Sequence, residues 1–479
     1  MKVTLGSGSV TLEEFAKLCN GNLIDKAKAK MRVEAICTDS READSKTVFW
    51  TLPGKKDDGE AHLSEAQARG CPCIICTPKA KSSVNKIETS DRQQSLYDFA
   101  RSVLESVNPH RVAVTGSAGK TTTKEFLFSV LSQSAKVFKT SGNHNSTVGL
   151  PLSLLEMRPK TDWAVLEMGM NARGEIQALS ELVTPDIAAI TNIGSAHIGL
   201  LGSQNEILQA KLEILSGMRQ NGIFLLNLDD SFLSASVGKN FRTISLSANG
   251  RKADFSAKNI RVEPQKTIFD LIWRGGAEKD VELNLPGKQF VYAALFAYAA
   301  GVYAGVSTDG IRRGLAEANP GNLRQSISVY HGVTLIEDCY NASPESVIAA
   351  LETLDLFCRG NGNRGIAVLG DMLELGKESE RLHRKIGKRF AKGFAERLYT
   401  IGKESEQIAL SAAENGVSPD QIFQNPDPTD LSELIAELQL TIKPGDVILI
   451  KASRGIAAER VGSALKNFLG KRGQEPCAN

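Results

Sequence analysis

The sequence predicts an α/β protein of three domains built on parallel sheets, and three observations predict it. From His110 onward, apolar runs of strand length, "RVAVTG", "DWAVLEMG", "IAAITNIG" and "GIFLLNLDD", alternate with segments of helical period. That order is the one a parallel sheet with crossover helices requires. A second alternating series, "GVTLIEDCY", "GIAVLGDM", "RLYTIG" and "GDVILIKASRG", begins after Gly321. Finally, a chain of 479 residues is too long for one compact core. The expected domains are residues 1–107, 108–320 and 321–479.

The first of these holds short strands and turns, including "AICTDSR", "TVFWTL" and "CPCIICTP", followed by a polar stretch rich in Lys, Ser and Asp. Cys71, Cys73 and Cys76 are spaced like a zinc knuckle, but the residues between them are those of a strand and no second ligand pair completes a site. Buried reduced thiols are expected instead. The formal net charge of +2, without a basic tail or a long Lys/Arg run, gives no argument for nucleic acid or an anionic membrane. The stretch "MKVTLGSGSVTLEEF" lacks the apolar core of a secretory signal, so a cytoplasmic protein is expected.

The second domain opens on "VAVTGSAGKTTTKEF", Val112 to Phe126. A buried strand ends at Thr115, Gly116 and Gly119 let the backbone turn through Ser117 and Ala118, and a helix opening near Lys120 adds its positive end. This is an anion site. Lys120 would reach the outer phosphates of a nucleotide, and the hydroxyl of Thr121 or Thr122 would ligate the accompanying magnesium. The spacing GxxGKT departs from the common GxxxxGK[ST], while Phe126, Leu127, Val130 and Leu131 supply the amphipathic helix that such a loop needs behind it. Glu167 ends "WAVLEMG" and His197 follows "AAITNIGSAH", on strands expected to neighbour the loop strand. Singly each reads as a capping or structural residue. Their shared place at strand ends lets them meet Thr121 around a metal-bound phosphate. The uncharged stretch Phe290 to Val306 is rich in Ala and Gly and too short for a membrane span, and reads as a buried helix.

In the third domain, "CYNASPESVIAALETL" places Ser343 as an N-cap and Pro344 at the first helical position, with Val347, Ala350, Leu351 and Leu354 as the apolar face. Asp338, Tyr340 and Asn341 gather at the preceding strand end without such a structural explanation. "KASRG" puts Lys451 and Arg454 at another strand terminus, where they would clamp an anionic group.

Taken together, "TDSR" (Thr38–Arg41), "TGSAGKTTTKE", "GNHNSTVGLPLSLL" (Gly142–Leu155), "LEMGMNARGEI", "TNIGSAHIG", "AKLEIL", "DCYNASPES", "VLGDMLELG" (Val368–Gly376) with His383, and "KASRG" resemble the peptidoglycan Mur ligases over the whole chain. The resemblance is strongest to the branch that adds D-alanyl-D-alanine to a UDP-N-acetylmuramoyl-tripeptide. It implies an ATP- and magnesium-dependent amide ligase working through an acyl phosphate. The N-terminal domain would hold the uridine nucleotide, the central domain would bind ATP and the C-terminal domain would be Rossmann-like. A monomer is expected, and a ligase joining a different amine to a different carboxylate is the alternative. By resemblance, Ser40 and Arg41 lie near the UDP-sugar, Gly116 to Thr122 hold ATP, and Asn145 positions substrate. Glu167 and His197 bind magnesium, and Arg324 and Asp338 approach the nucleotide. Lys211, in "AKLEIL", falls where the family carries a carbamylated Lys, although the residue itself reads as a solvated helix position. Three positions depart from the family pattern near adenine, where Gln289, Phe290 and Ala293 replace a His-Asn pair and a further Asn.

Overall fold

The computed structural model describes residues 1–54, 57–236, 241–321, 323–359 and 362–472. Three large sheets, of six, nine and six strands, lie in succession along the chain. By compactness the residues form two units. One comprises Met1–Val114, Ser134–Ala188 and Glu213–Ile223, and the other Thr115–Gln133, Ala189–Leu212 and the chain from Phe224 onward.

In the first unit the six-stranded sheet runs Lys2–Thr4, Ala35–Cys37, Thr47–Trp50, Cys73–Cys76, Asn85–Glu88, Asn22–Leu23. Its inner pairs are parallel and its two outer pairs antiparallel. Cys73–Cys76 is buried along its whole length because both faces of this central strand are covered. Burial pushes the Cys76 thiol up to about 11 and the Cys73 thiol higher still, so these side chains behave as small apolar groups. Phe15, Trp50 and Phe99 fill one side, with Phe15 edge-on to Phe99 at 4.9 Å between ring centroids. The strand His110–Thr115 that feeds the Gly-rich loop pairs in parallel with Trp163–Glu167, which pairs in parallel with Val137–Lys139. The expected neighbour relation of the Glu167 strand is therefore present, with Glu167 opposite Val114.

In the second unit the helix Lys120–Leu131 follows the loop and packs on Gln289–Tyr303, the buried helix expected from its uninterrupted apolar sequence. Phe290 is 4% exposed and stacks on Phe126, with 6.3 Å between centroids and 4° between planes. It is a core residue. Among the described residues no helix is long and apolar enough to cross a membrane. The strands Phe255–Val262, Thr267–Trp273 and Gly276–Leu283 form an antiparallel ribbon, so the middle sheet is mixed rather than parallel throughout. Their half-polar alternation carries period two, not the continuous apolar runs by which the parallel strands are recognised.

The last sheet runs Ser326–Tyr330, Val333–Glu337, Asp446–Lys451, Arg364–Gly370, Ala395–Ile401, Ile422–Asn425, parallel except for the first pair. Leu335, Ile366, Val368, Ile448 and Ile450 point into one core with Leu434, Leu438, Val461 and Leu465. Helix Pro344–Cys358 starts as its sequence requires. The Ser343 hydroxyl accepts from the Ser346 amide, the Ser346 hydroxyl accepts from the Ser343 amide, and Pro344 stands at the first turn. Val347, Ala350, Leu351 and Leu354 are all buried.

Because Phe290 fills the seam between the two helices, Phe290→Ala is expected to destabilise the protein by about 3–5 kcal/mol. The shift in urea midpoint at unchanged slope measures it.

Candidate active site

The Gly-rich loop is built against the end of the neighbouring strand. Thr191 and Asn192 follow strand Ile187–Ile190, and the Thr191 amide donates to the Thr115 carbonyl at 2.9 Å, which sets that strand beside the loop strand. The Thr191 hydroxyl and the Asn192 side-chain amide both donate to the Ala118 carbonyl, at 2.6 and 3.1 Å. In return the Ala118 amide donates to Asn192 Oδ1 at 3.0 Å, and the Ser117 amide to the Asn192 carbonyl at 3.0 Å. Gly116 has to be glycine here: it sits at φ +148°, and a Cβ would stand 1.8 Å from Thr191 Oγ1. Gly119, at φ +79°, then starts helix Lys120–Leu131. Lys120 folds back so that its ammonium donates to the Gly116 carbonyl at 2.8 Å, over the loop.

The hydroxyl of Ser117 is buried and has no hydrogen-bond partner among the described residues. An orphaned donor inside a loop at a helix N-terminus, beside an ammonium and the Thr121 hydroxyl, is what a phosphate-bearing ligand would satisfy. The residues present fit a magnesium nucleotide.

His197 starts the short helix Ile198–Leu201 at φ +66°, with Nδ1 2.6 Å from a carboxylate oxygen of Glu374, although not in hydrogen-bond geometry. Glu374 belongs to the "GDMLELG" turn, which His383 fastens. The His383 Nδ1 lies 2.8 Å from the Ser379 carbonyl, and Nε2 lies 3.0 Å from the Met372 amide. A neutral ring donating from Nδ1 and accepting at Nε2 satisfies both, and burial lowers its pKa in keeping with that form. Lys211, on helix Gln204–Leu212, is 1% exposed. The solvated helix position read from the residue alone is therefore corrected: the helix has little amphipathic contrast, and the aliphatic stem goes inward with its amine.

In the turn that precedes strand Ser326–Tyr330, Arg324 donates to the Thr121 hydroxyl at 2.9 Å and lies 3.9 Å over the ring of Tyr340. Lys451 is 2% exposed and spends its three protons internally, on Asp338 Oδ2 at 2.7 Å, the Asp338 carbonyl at 3.3 Å and the Asn341 carbonyl at 3.0 Å. Asp338 and Asn341 are thus brought together by Lys451, which shapes their turn. Arg454 stands apart, exposed and 3.2 Å from Glu459. Gln289 donates to the Gln325 side-chain carbonyl at 2.6 Å, and Gln325 in turn donates to the Pro286 carbonyl.

In the first unit, Glu167 is 2% exposed at its strand end, its amide donating to the Thr140 hydroxyl at 3.1 Å and its Oε1 accepting from Asn145 Nδ2 at 2.8 Å. Asn145 therefore orients the carboxylate. Ser40 and Arg41 occupy one short 3-10 turn capped by Asp39. The Ser40 hydroxyl is buried on Glu65 at 2.5 Å, whereas the exposed Arg41 guanidinium holds Asp39 at 2.6 and 2.9 Å and keeps that carboxyl well below the usual range. Thr191, Asn192 and Glu374 were not singled out from the sequence. Their signal is only that a polar pair follows a buried strand and that an acidic residue sits between two apolar ones.

Comparison with known proteins accords with this arrangement. The Mur ligase middle domain matches residues 114–301, and the Mur ligase glutamate ligase domain matches residues 324–454. The chain is 34% identical to the UDP-N-acetylmuramoyl-tripeptide--D-alanyl-D-alanine ligase of Escherichia coli, covering 96% of this chain and 98% of that one. It is 32% identical to the enzyme of the same name from Bacillus subtilis, over 94% and 97%. A crystal structure of MurF from Acinetobacter baumannii superposes with a TM-score of 0.87 at 28% identity, covering 98% of this chain and all of the other. The Thermotoga maritima MurF in complex with ADP does so with a TM-score of 0.79 at 29% identity, over 91% and 98%. The chain belongs to the Mur ligase family.

Proposed function

We propose that this protein joins D-alanyl-D-alanine to UDP-N-acetylmuramoyl-tripeptide at the cost of ATP, in cytoplasmic assembly of the peptidoglycan precursor. The observation that carries the reading is the Gly116–Thr121 loop with Arg324 donating to Thr121, a cation from the turn before the last sheet beside a loop built like a phosphate cradle. The near full-length likeness to ligases of that name supports the choice of substrates. The domains are 1–107 for the uridine nucleotide, 108–320 for ATP and 321–479 for closure, and the protein acts as a monomer.

The tripeptide's terminal carboxylate attacks the γ-phosphate of ATP, and ADP leaves. Two anions must approach, so the barrier is electrostatic. The Lys120 ammonium, the N–H groups opening its helix and the Arg324 guanidinium offset the charge that builds on the transferred group. The dipeptide's amine, free of its extra proton, then attacks the acyl phosphate carbonyl. An amide bond forms as the nitrogen loses a proton, and inorganic phosphate leaves with the electrons of the broken C–O bond and takes up that proton. Thr121, Glu167, His197 and Lys211 would hold magnesium, which when bound supplies Lewis-acid neutralisation of phosphate charge. Asn145 orients Glu167 for that task. Lys211 would serve as a carbamate, its neutral amine adding to carbon dioxide with loss of a proton, which turns a cation into an anion able to face a metal. Ser40, Arg41, Asn341, Lys451 and Arg454 line or shape the substrate sites. Asp338, held by Lys451, faces the nucleotide.

Phosphate release is expected to require both the UDP-tripeptide and D-alanyl-D-alanine, because the acyl phosphate forms and is consumed in a closed site. Equal release with either omitted, or coupling only to another amine, would overturn the reading. In the same assay Lys120→Ala is expected to lose about 10²–10³ in kcat while its circular dichroism stays native.

Lys211→Ala is expected to lose most activity and to regain part of it on addition of short carboxylic acids that enter the vacated space. Full activity without addition would remove Lys211 from the site.

A further inference from the structure

The segment from Gly194 to Gly199 carries His197 and is gripped at both ends by the C-terminal part of the same unit. At one end, Glu345 Oε1 accepts from the Ser195 amide at 3.0 Å and from the Ser195 hydroxyl at 2.9 Å. Glu345 Oε2 is buried and has no hydrogen-bond partner among the described residues, where the carboxylate is bonded through Oε1 to Ser195. The fit is close: a Cβ on Gly194 would stand 2.9 Å from this carboxylate. At the other end, the Gly199 amide donates to the Glu374 carbonyl at 2.9 Å, and a Cβ on Gly199 would stand 2.5 Å from the Gly376 amide nitrogen. Between the two grips His197 holds φ +66°, a left-handed conformation uncommon for a residue with a side chain.

Helix capping does not account for Glu345. Ser343 and Ser346 already close the box at the start of helix Pro344–Cys358, and no capping bond falls to Glu345. Glu345 stands in the first turn of that helix, a position where the macrodipole favours an acidic residue. The two bonds to Ser195 join residues 150 apart in sequence.

We propose that Glu345 is a positioning residue for the ligation. Acting through Ser195, it holds one end of Gly194–Gly199 and so fixes the left-handed backbone of His197, whose ring lies against the Glu374 carboxylate. Seating of the C-terminal sheet is thereby reported to a residue of the phosphate-transfer site. The inference rests on the ligase reading for its kinetic consequence but not for its structural one.

The test compares Glu345→Ala, Glu345→Gln and Ser195→Ala with the unmodified protein, by amide hydrogen exchange over residues 194–199 without ligands and by steady-state ligation. In Glu345→Ala, exchange is expected to quicken and kcat to fall, each about tenfold, with KM for the UDP-tripeptide unchanged. Glu345→Gln keeps an acceptor oxygen and is expected to restore most of both. Ser195→Ala, which keeps the amide bond and loses the hydroxyl bond, should fall between. Unchanged exchange in Glu345→Ala, or a Glu345→Gln protein as impaired as Glu345→Ala, would overturn the proposal. Unmodified protein that releases no tripeptide-dependent phosphate would instead sink the ligase reading, and the exchange result would still decide the role of Glu345.

Discussion

The structure depends on the hold that Thr191 and Asn192 keep on the Gly-rich loop. A loop that turns this sharply between a strand and a helix cannot pair its backbone groups with one another. Here the carbonyl and amide of Ala118 are both taken by the adjacent strand end, through side chains at 2.6, 3.1 and 3.0 Å. The loop is thus ordered by its neighbour, so a ligand seated there need not supply the energy of ordering it. Because Thr191 ends a buried parallel strand, the stiffness of the sheet is passed to the loop. The same strand end leads directly into the segment carrying His197, so one strand sets both.

Much of this was legible in the sequence. The parallel strands are continuous apolar runs, the helix from Pro344 announces itself by Ser343 and its apolar period, and the helix from Gln289 has almost no polar residue to expose. The Gly-rich loop, Glu167 and His197 could be chosen because chemistry at the ends of parallel strands has a predictable place. What could not be read was direction. Lys211 lies on a helix whose contrast between faces is slight, and nothing local says that its amine goes inward. Lys451 could be read as an anion clamp, whereas its protons go to Asp338 and Asn341, contacts set by chain segments more than 100 residues away. Glu345 was hidden by Ser343 and Pro344, whose capping role explained the motif before its acidic member had been given one.

The departures Gln289, Phe290 and Ala293 also acquire a physical account. Phe290 and Ala293 are interior residues of a helix seam. Gln289 is engaged with Gln325, at the start of the last sheet, where the backbone takes φ +54°. An amide pair here fastens the connection between the sheets, leaving that side chain a structural duty.

The ribbon that ends the nine-stranded sheet bears on how the protein survives at high concentration. Its outermost strand, Gly276–Leu283, has one unpaired row of backbone N–H and C=O groups, the kind of edge on which another chain can add a strand. The sequence there is "GAEKDVEL", and Arg312 from the helix Thr308–Glu317 reaches across to Glu278 and to the carbonyls of Lys279 and Asp280. The opposite edge, Val137–Lys139, is three residues long. Charge and a capped backbone at one end, and brevity at the other, deny an incoming strand a template and protect the largest sheet from aggregation.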